Sequence, residues 1–226
     1  MDHKRAPFLN PAAVASYTAD TPRKVPGLAD LHRMVMLLLA EGAPGNAHML
    51  VVGAGGGLET RAIAEAQPGW RFTGVDPSPA MLDLARQALT PFAGRVDLLQ
   101  GTIDQAPAGP FDGATCLFTL HHLDLNERLK TLAGIRRRLA PGTRLVVAQH
   151  APPSPSPERW MALSAAFSDR EGPDWDKATA TGRMMTERLP LLTPAREENM
   201  LRDAGFTDVE LYYAAFSFRG WVGTAS

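Results

Sequence analysis

The chain has 226 residues, 45% of them hydrophobic, an ordinary composition for a globular protein able to bury a sizeable core. A net charge of −1 and a pI near 6.6 leave no global basic field to attract nucleic acid. Cys116 is the one cysteine, which excludes an internal disulfide and a cysteine-type zinc cluster, and within its apolar run it reads as an inert buried thiol. The charged start Met1-Asp-His-Lys-Arg is not followed by an apolar h-region, and no stretch approaches the roughly 18 apolar residues of a membrane span. A cytoplasmic protein without membrane contact is expected.

Residues 1–27 are proline-rich and read as a partly helical N-terminal arm. Leu31, Val35, Leu38 and Leu39 recur at helical spacing, which predicts an amphipathic helix over 28–40, ended by Gly42-Ala-Pro-Gly. A strand follows at 49–52, a helix at 58–67 and a second strand at 71–75. Ser78 is an N-cap candidate with Pro79 at the first helical position, and the helix it opens carries Met81, Leu82, Ala85 and Leu89 along one side. Strands are expected at 96–99, 113–120 and 144–148. Asp124 and Glu127 have the spacing of a capping box for a helix through about Leu139, with Arg136, Arg137 and Arg138 as a solvated helix end. Repeated strand–helix alternation implies a parallel sheet with helices on both faces, and ligands then bind at the carboxyl edge.

Residues 151–192 break this rhythm. A helix is expected from about Ser156, with Trp160, Leu163 and Phe167 on one face. The insertion follows the fifth strand on the ligand edge, so it is placed either to cover a site as a lid or simply to add core packing. Thr193 caps a last helix ending at Gly205, and strands at 209–214 and 216–222 close the chain. The whole, 1–226, is expected to be one domain: arm 1–27, core 28–150, lid insertion 151–192, and C-terminal helix with closing strands 193–226.

The most telling run is 49–57, Met-Leu-Val-Val-Gly-Ala-Gly-Gly-Gly, in which an apolar strand enters a glycine-dense turn. About twenty residues later a second apolar strand ends on Asp76, where a carboxylate can accept hydrogen bonds from ribose hydroxyls. A dinucleotide fingerprint needs a third glycine where this chain has Leu58, and the G-x-G-x-G pattern suits a ligand without a pyrophosphate. With these motifs the chain resembles the class I S-adenosylmethionine-dependent methyltransferases. The resemblance rests on 51–57, on 74–86 (Gly-Val-Asp-Pro-Ser-Pro-Ala-Met-Leu-Asp-Leu-Ala-Arg), on 100–104, 111–123 and 139–147, in the family's order, and on the tail at 201–206. It implies a doubly wound, mostly parallel seven-stranded sheet with an antiparallel C-terminal strand, and S-adenosyl-L-methionine as cofactor. Many members carry an acidic residue two positions before the first glycine. This chain has Val51 there, so either the methionine end is held differently or another group compensates.

The resemblance also implies site roles. Gly53, Ala54 and Gly55 line the methionine portion, and Asp76, followed by Pro77 and Ser78, binds the ribose. Thr102 and Ile103 lie near adenine, with Asp104 meeting its exocyclic amine. Met81 either packs on the ring or serves the core. Leu117 and Phe118 approach the cofactor from the fourth strand, and Tyr17 and Arg23 reach it if the arm folds over the site. His121 and His122, just past that strand, are the candidates for acid–base or acceptor-orienting work, because an ordinary histidine titrates near neutrality. No third ligand at suitable spacing accompanies them, so no metal is expected. The expected activity is methyl transfer to a small-molecule acceptor, chiefly by positioning. Two rivals remain open: a non-catalytic cofactor-binding sensor or partner-binding module, and a nicotinamide-dependent oxidoreductase. Nothing in these residues specifies an oligomer.

Overall fold

The computed structural model describes residues 11–226, so the first ten residues of the predicted arm, with their charged start, lie outside the described residues. The elements in order are α1 Pro11–Lys24, α2 Leu28–Ala40, β1 His48–Val52, α3 Leu58–Ala66, β2 Arg71–Asp76, α4 Pro79–Ala88, β3 Val96–Gln100, β4 Phe111–Leu117, α5 Leu125–Arg136, β5 Leu139–His150, α6 Pro157–Ser168, α7 Trp175–Arg188, α8 Pro194–Asp203, β6 Phe206–Ala215 and β7 Phe218–Ala225. The seven strands form one sheet in the order β3-β2-β1-β4-β5-β7-β6. Pairings among β1 to β5 are parallel, while β7 runs antiparallel to both β5 and β6. This is the expected doubly wound fold.

Strand alternation sorts the core into two faces. Leu50 and Val52 of β1 point to the side packed by Leu132 and Ile135 of α5 and Met200 and Leu201 of α8. Met49 and Val51 point to the side packed by Leu31, Val35 and Leu39 of α2 and Ile63 of α3. The chain winds outward from β1 through β2 to β3, then returns to place β4 on the other flank of β1. The crevice at the carboxyl ends of β1 and β4 is therefore the topological switch point where open α/β sheets bind ligands.

Local chemistry sets the boundaries. Ser78 accepts a hydrogen bond from the Met81 amide, and Asp124 and Glu127 form the reciprocal capping box, both at 3.0 Å. The α5 helix stops at Arg136 rather than Leu139, because Leu139 pairs with Phe111 at the start of β5. The arginine run is not simply solvated: Arg136 donates to the Gly205 carbonyl and Arg138 to those of Pro107 and Gly134. The fourth strand ends at Leu117, not Leu120, because Phe118 takes a left-handed φ of 56° and residues 120–122 form a single 3-10 turn.

The insertion forms two helices where one was expected. They approach closely because Gly182 has no side chain; a Cβ there would lie 2.6 Å from the Ala162 nitrogen. Met161 and Ser164 are the buried positions of α6, and Trp160, Leu163 and Phe167 are only partly covered. No helix among the described residues is long and apolar enough to cross a membrane.

Candidate active site

The glycine turn after β1 forms the floor of the site. The amides of Gly53 and Ala54 both donate to the Val75 carbonyl, which binds the turn to the end of β2. Gly53 has φ 77°, and a Cβ on it would fall 1.9 Å from the Thr119 hydroxyl oxygen, so bare backbone is required there. Asp76 sits opposite. Its Oδ1 accepts from the Ser78 amide at 2.8 Å and its Oδ2 from the Gly55 amide at 2.9 Å. Burial pushes its carboxyl upward, and those two backbone donors pull it back. A carboxylate oxygen has more than one acceptor direction, so each retains capacity for a ligand hydroxyl.

These groups open onto one cavity of about 480 Å³. Its lining brings together Tyr17, Gly53, Gly55, Asp76, Pro77, Ser78, Met81, Thr102, Ile103, Leu117, Phe118, His121 and His122 from the residues singled out in the sequence. Three others are placed elsewhere. Asp104 is exposed, its amide turned to the Thr102 hydroxyl at 3.4 Å. Arg23 is exposed in the last turn of α1, and Lys24 lines the cavity in its stead. Ala54 lines a second, polar cavity of about 20 Å³, which shares Tyr17, Thr21, Gly53, Leu117 and Phe118 with the first. No residue of the 151–192 insertion lines the main cavity; α6 packs instead against α1, and its Ser164 hydroxyl lies 2.6 Å from that of Ser217.

The far wall is aromatic. His121 contacts the rings of His122 and His150 at centroid distances of 4.2 and 4.9 Å, and His150 stacks on Phe218 at 4.0 Å. The His150 amide donates to His121 Nδ1, which leaves the His121 proton on Nε2. Burial drives all three imidazoles down, His122 to about 4, His150 to about 3 and His121 well below its ordinary value, so all are neutral at pH 7. They are hydrogen-bonding groups rather than strong bases. Sequence reasoning missed His150 and Phe218. His150 ends β5 beside β4, so the rule that parallel-strand carboxyl ends carry ligand groups pointed to it. Among the described residues, no group of three or more His, Cys, Asp or Glu is arranged to hold a metal ion.

The donor set fits S-adenosylmethionine. It combines a carboxylate for the ribose, bare main chain beside Gly53 and Gly55 for the amino-acid portion, and an apolar slot from Met81 and Ile103 for the base. Comparison with known proteins agrees. A family described as a methyltransferase domain matches residues 50–145. A carboxy-S-adenosyl-L-methionine synthase of Aeromonas hydrophila is 26% identical, over 90% of this chain and 84% of the relative. An O-methyltransferase family protein from Burkholderia thailandensis superimposes with a TM-score of 0.68 at 15% identity, over 100% of this chain and 63% of that one. Human N-acetylserotonin methyltransferase, solved with S-adenosylmethionine, gives 0.66 at 17% identity, over 98% of this chain and 58% of that one. The chain thus spans less than two thirds of the length of these two solved proteins. With the glycine turn, the acid ending β2 and the antiparallel close of the sheet all in place, the chain is similar to the S-adenosylmethionine-dependent methyltransferases, in sequence over residues 50–145 and in fold over nearly its whole length.

Proposed function

We propose that the protein methylates a small, largely apolar acceptor held between Phe118, the three histidines and Phe218. One observation carries this reading: Asp76, the glycine floor and the histidine–aromatic wall all face a single cavity of about 480 Å³. That size falls within the range of cofactor and small-molecule sites. Bound S-adenosylmethionine supplies a methyl carbon with a neutral thioether leaving group, so an acceptor lone pair can form the new bond as the carbon–sulfur bond breaks.

The chain's own residues then have limited tasks. Asp76, held by two backbone amides, orients the ribose. Phe118, fixed in a left-handed conformation with its amide on the Ala148 carbonyl at 2.6 Å, supports the reacting end. His121 presents an Nε2 proton and orients an acceptor lone pair, while His122 aligns the acceptor beside it. Positioning of this kind supplies about 7–11 kcal/mol in favourable cases, enough to make a strong base unnecessary for an activated acceptor.

The synthase named among the relatives makes a carboxylated cofactor. A second carboxylate beside the sulfonium calls for a desolvated cation. Among the described residues, Lys24 is the one lysine or arginine lining this cavity; it lies 63% exposed and pairs with Asp20 at 3.5 Å, which favours the methyl-transfer reading.

Isothermal titration with S-adenosylhomocysteine tests the site. Binding is expected in the wild type, with a loss of about 10- to 100-fold in Asp76→Ala, as for removal of hydrogen bonds to a charged group. His121→Ala should bind nearly as tightly as wild type but lose turnover on an acceptor panel with labelled methyl donor. No binding by folded protein, or equal negligible effects of the two substitutions, overturns the reading.

A further inference from the structure

The loss of an acid at position 51 leaves the amino-acid end of the cofactor without its customary counter-charge. Glu59, in the first turn of α3, is among the described residues the one carboxylate lining the small cavity beside Gly53. Its residue is 8% exposed, and one carboxylate oxygen accepts from the Thr115 hydroxyl. The other makes no hydrogen bond to any described residue. A carboxyl this well buried is costly to charge unless its second oxygen takes a partner from the cavity it lines. The cavity it faces, about 20 Å³ and bounded by Tyr17, His32 and the glycine turn, has room for one water or one small polar group.

Resting on the proposed use of S-adenosylmethionine, we infer that Glu59 is the anionic anchor for the ammonium group of the cofactor's amino-acid tail, taking over from the missing acid at Val51 through this cavity. The site therefore belongs to α3 rather than to the end of β1.

Electrostatics add a signature. Burial raises the Glu59 carboxyl to about 8, so without a cation beside it the group is mostly protonated at neutral pH. The groups packed around it cannot answer in its place. Tyr17 of α1 is raised to about 12, and His32 of α2 is lowered to about 4 and stays neutral. Cys116 of β4 and Tyr212 of β6 are pushed above their ordinary values by burial and by Glu59 itself. Asp76 of β2 also faces Tyr17; burial raises its carboxyl, and two backbone amides oppose that rise. An arriving ammonium should thus draw a proton off Glu59, and that proton goes to the buffer.

Calorimetry with two ligands tests the anchor: S-adenosylhomocysteine, which carries the amino-acid tail, and 5′-methylthioadenosine, which lacks it. Glu59→Gln, which preserves the Thr115 bond, should weaken the first by about 10- to 100-fold and leave the second within about twofold. Titrations at pH 7 in buffers of different ionisation enthalpy should show proton release for wild type with the first ligand, and none for the variant. Glu59→Asp, which keeps the charge, should bind the first ligand more tightly than Glu59→Gln does. Unchanged affinity for S-adenosylhomocysteine in Glu59→Gln, or equal loss for both ligands, overturns the anchor. If wild type binds neither ligand, the functional reading itself fails, and the anchor with it.

Discussion

Gly53 shows how one atom can close a site. Its φ of 77° and the 1.9 Å approach that a Cβ would make to Thr119 mean that Gly53→Ala meets both a strained backbone and a blocked neighbour. The backbone penalty alone is about 1–2 kcal/mol. Lower thermal stability is expected together with weaker binding of S-adenosylhomocysteine, since Thr119 lines the cavity and must move. Wild-type affinity in that variant would show that the turn is only a connector. Asp76 was legible in the sequence because a strand ending on an acid after a glycine turn is a local pattern. Glu59 was not, because an acid in the first turn of a helix ordinarily faces water and complements the helix dipole. Only its packing against Thr115 and Tyr17 distinguishes it from such an acid.

Among the elements, α1 closes the site, and the α5–α8 pair packs the sheet beneath it. Tyr17, Thr21 and Lys24 of α1 close one side of the cavity, a role often given to a lid, while the 151–192 insertion braces α1 from outside. Strand–helix periodicity could place the insertion after β5 but not say which neighbour it would meet. Below the site, Arg128 of α5 and Glu197 of α8 form an ion pair with side chains 0% and 2% exposed. Gln149 of β5 donates to the same carboxylate at 2.6 Å, and Arg128 also donates to the Pro190 carbonyl at 2.8 Å. Burial pushes the Glu197 carboxyl up against the pull of Arg128 and Gln149. Glu197→Leu leaves a buried guanidinium without its partner and should cost about 3–5 kcal/mol in urea unfolding. The double variant Arg128→Met with Glu197→Leu should recover most of that loss, because two apolar side chains can replace a buried pair at little cost. A double variant no more stable than the single one would show that the pair's other hydrogen bonds dominate.

For the protein as a whole, buried ionisable groups predict how stability follows pH. His32 and His122 are lowered from 6.5 to about 4, and His121 and His150 further still. Between pH 4 and 6.5 the unfolded chain therefore binds more protons than the fold, and stability rises with pH, by at most about 1.4 kcal/mol per unit for each group. Glu59 has the opposite sign. Its pKa rises from 4.5 to about 8, so its contribution is complete below the lower value and fades as pH climbs through the upper one. Asp76 and Glu197 are also raised and oppose the histidines at the acid end. Urea unfolding at pH 5, 6.5 and 8 should give the highest midpoint at 6.5; a continued rise to pH 8 would mean that Glu59 is already ionised in the fold. The alternating strands and helices, their caps, the glycine turn and Asp76 could all be read along the chain, because each follows from steric and hydrogen-bonding rules that act over a few residues. The meeting of His121 with His150, the placing of α1 over the cavity and the placing of Glu59 at the small cavity beside Gly53 needed the folded molecule. They depend on β4 lying beside β5 and on helices packing across the sheet, and contacts between residues so far apart in sequence leave no periodic trace in it.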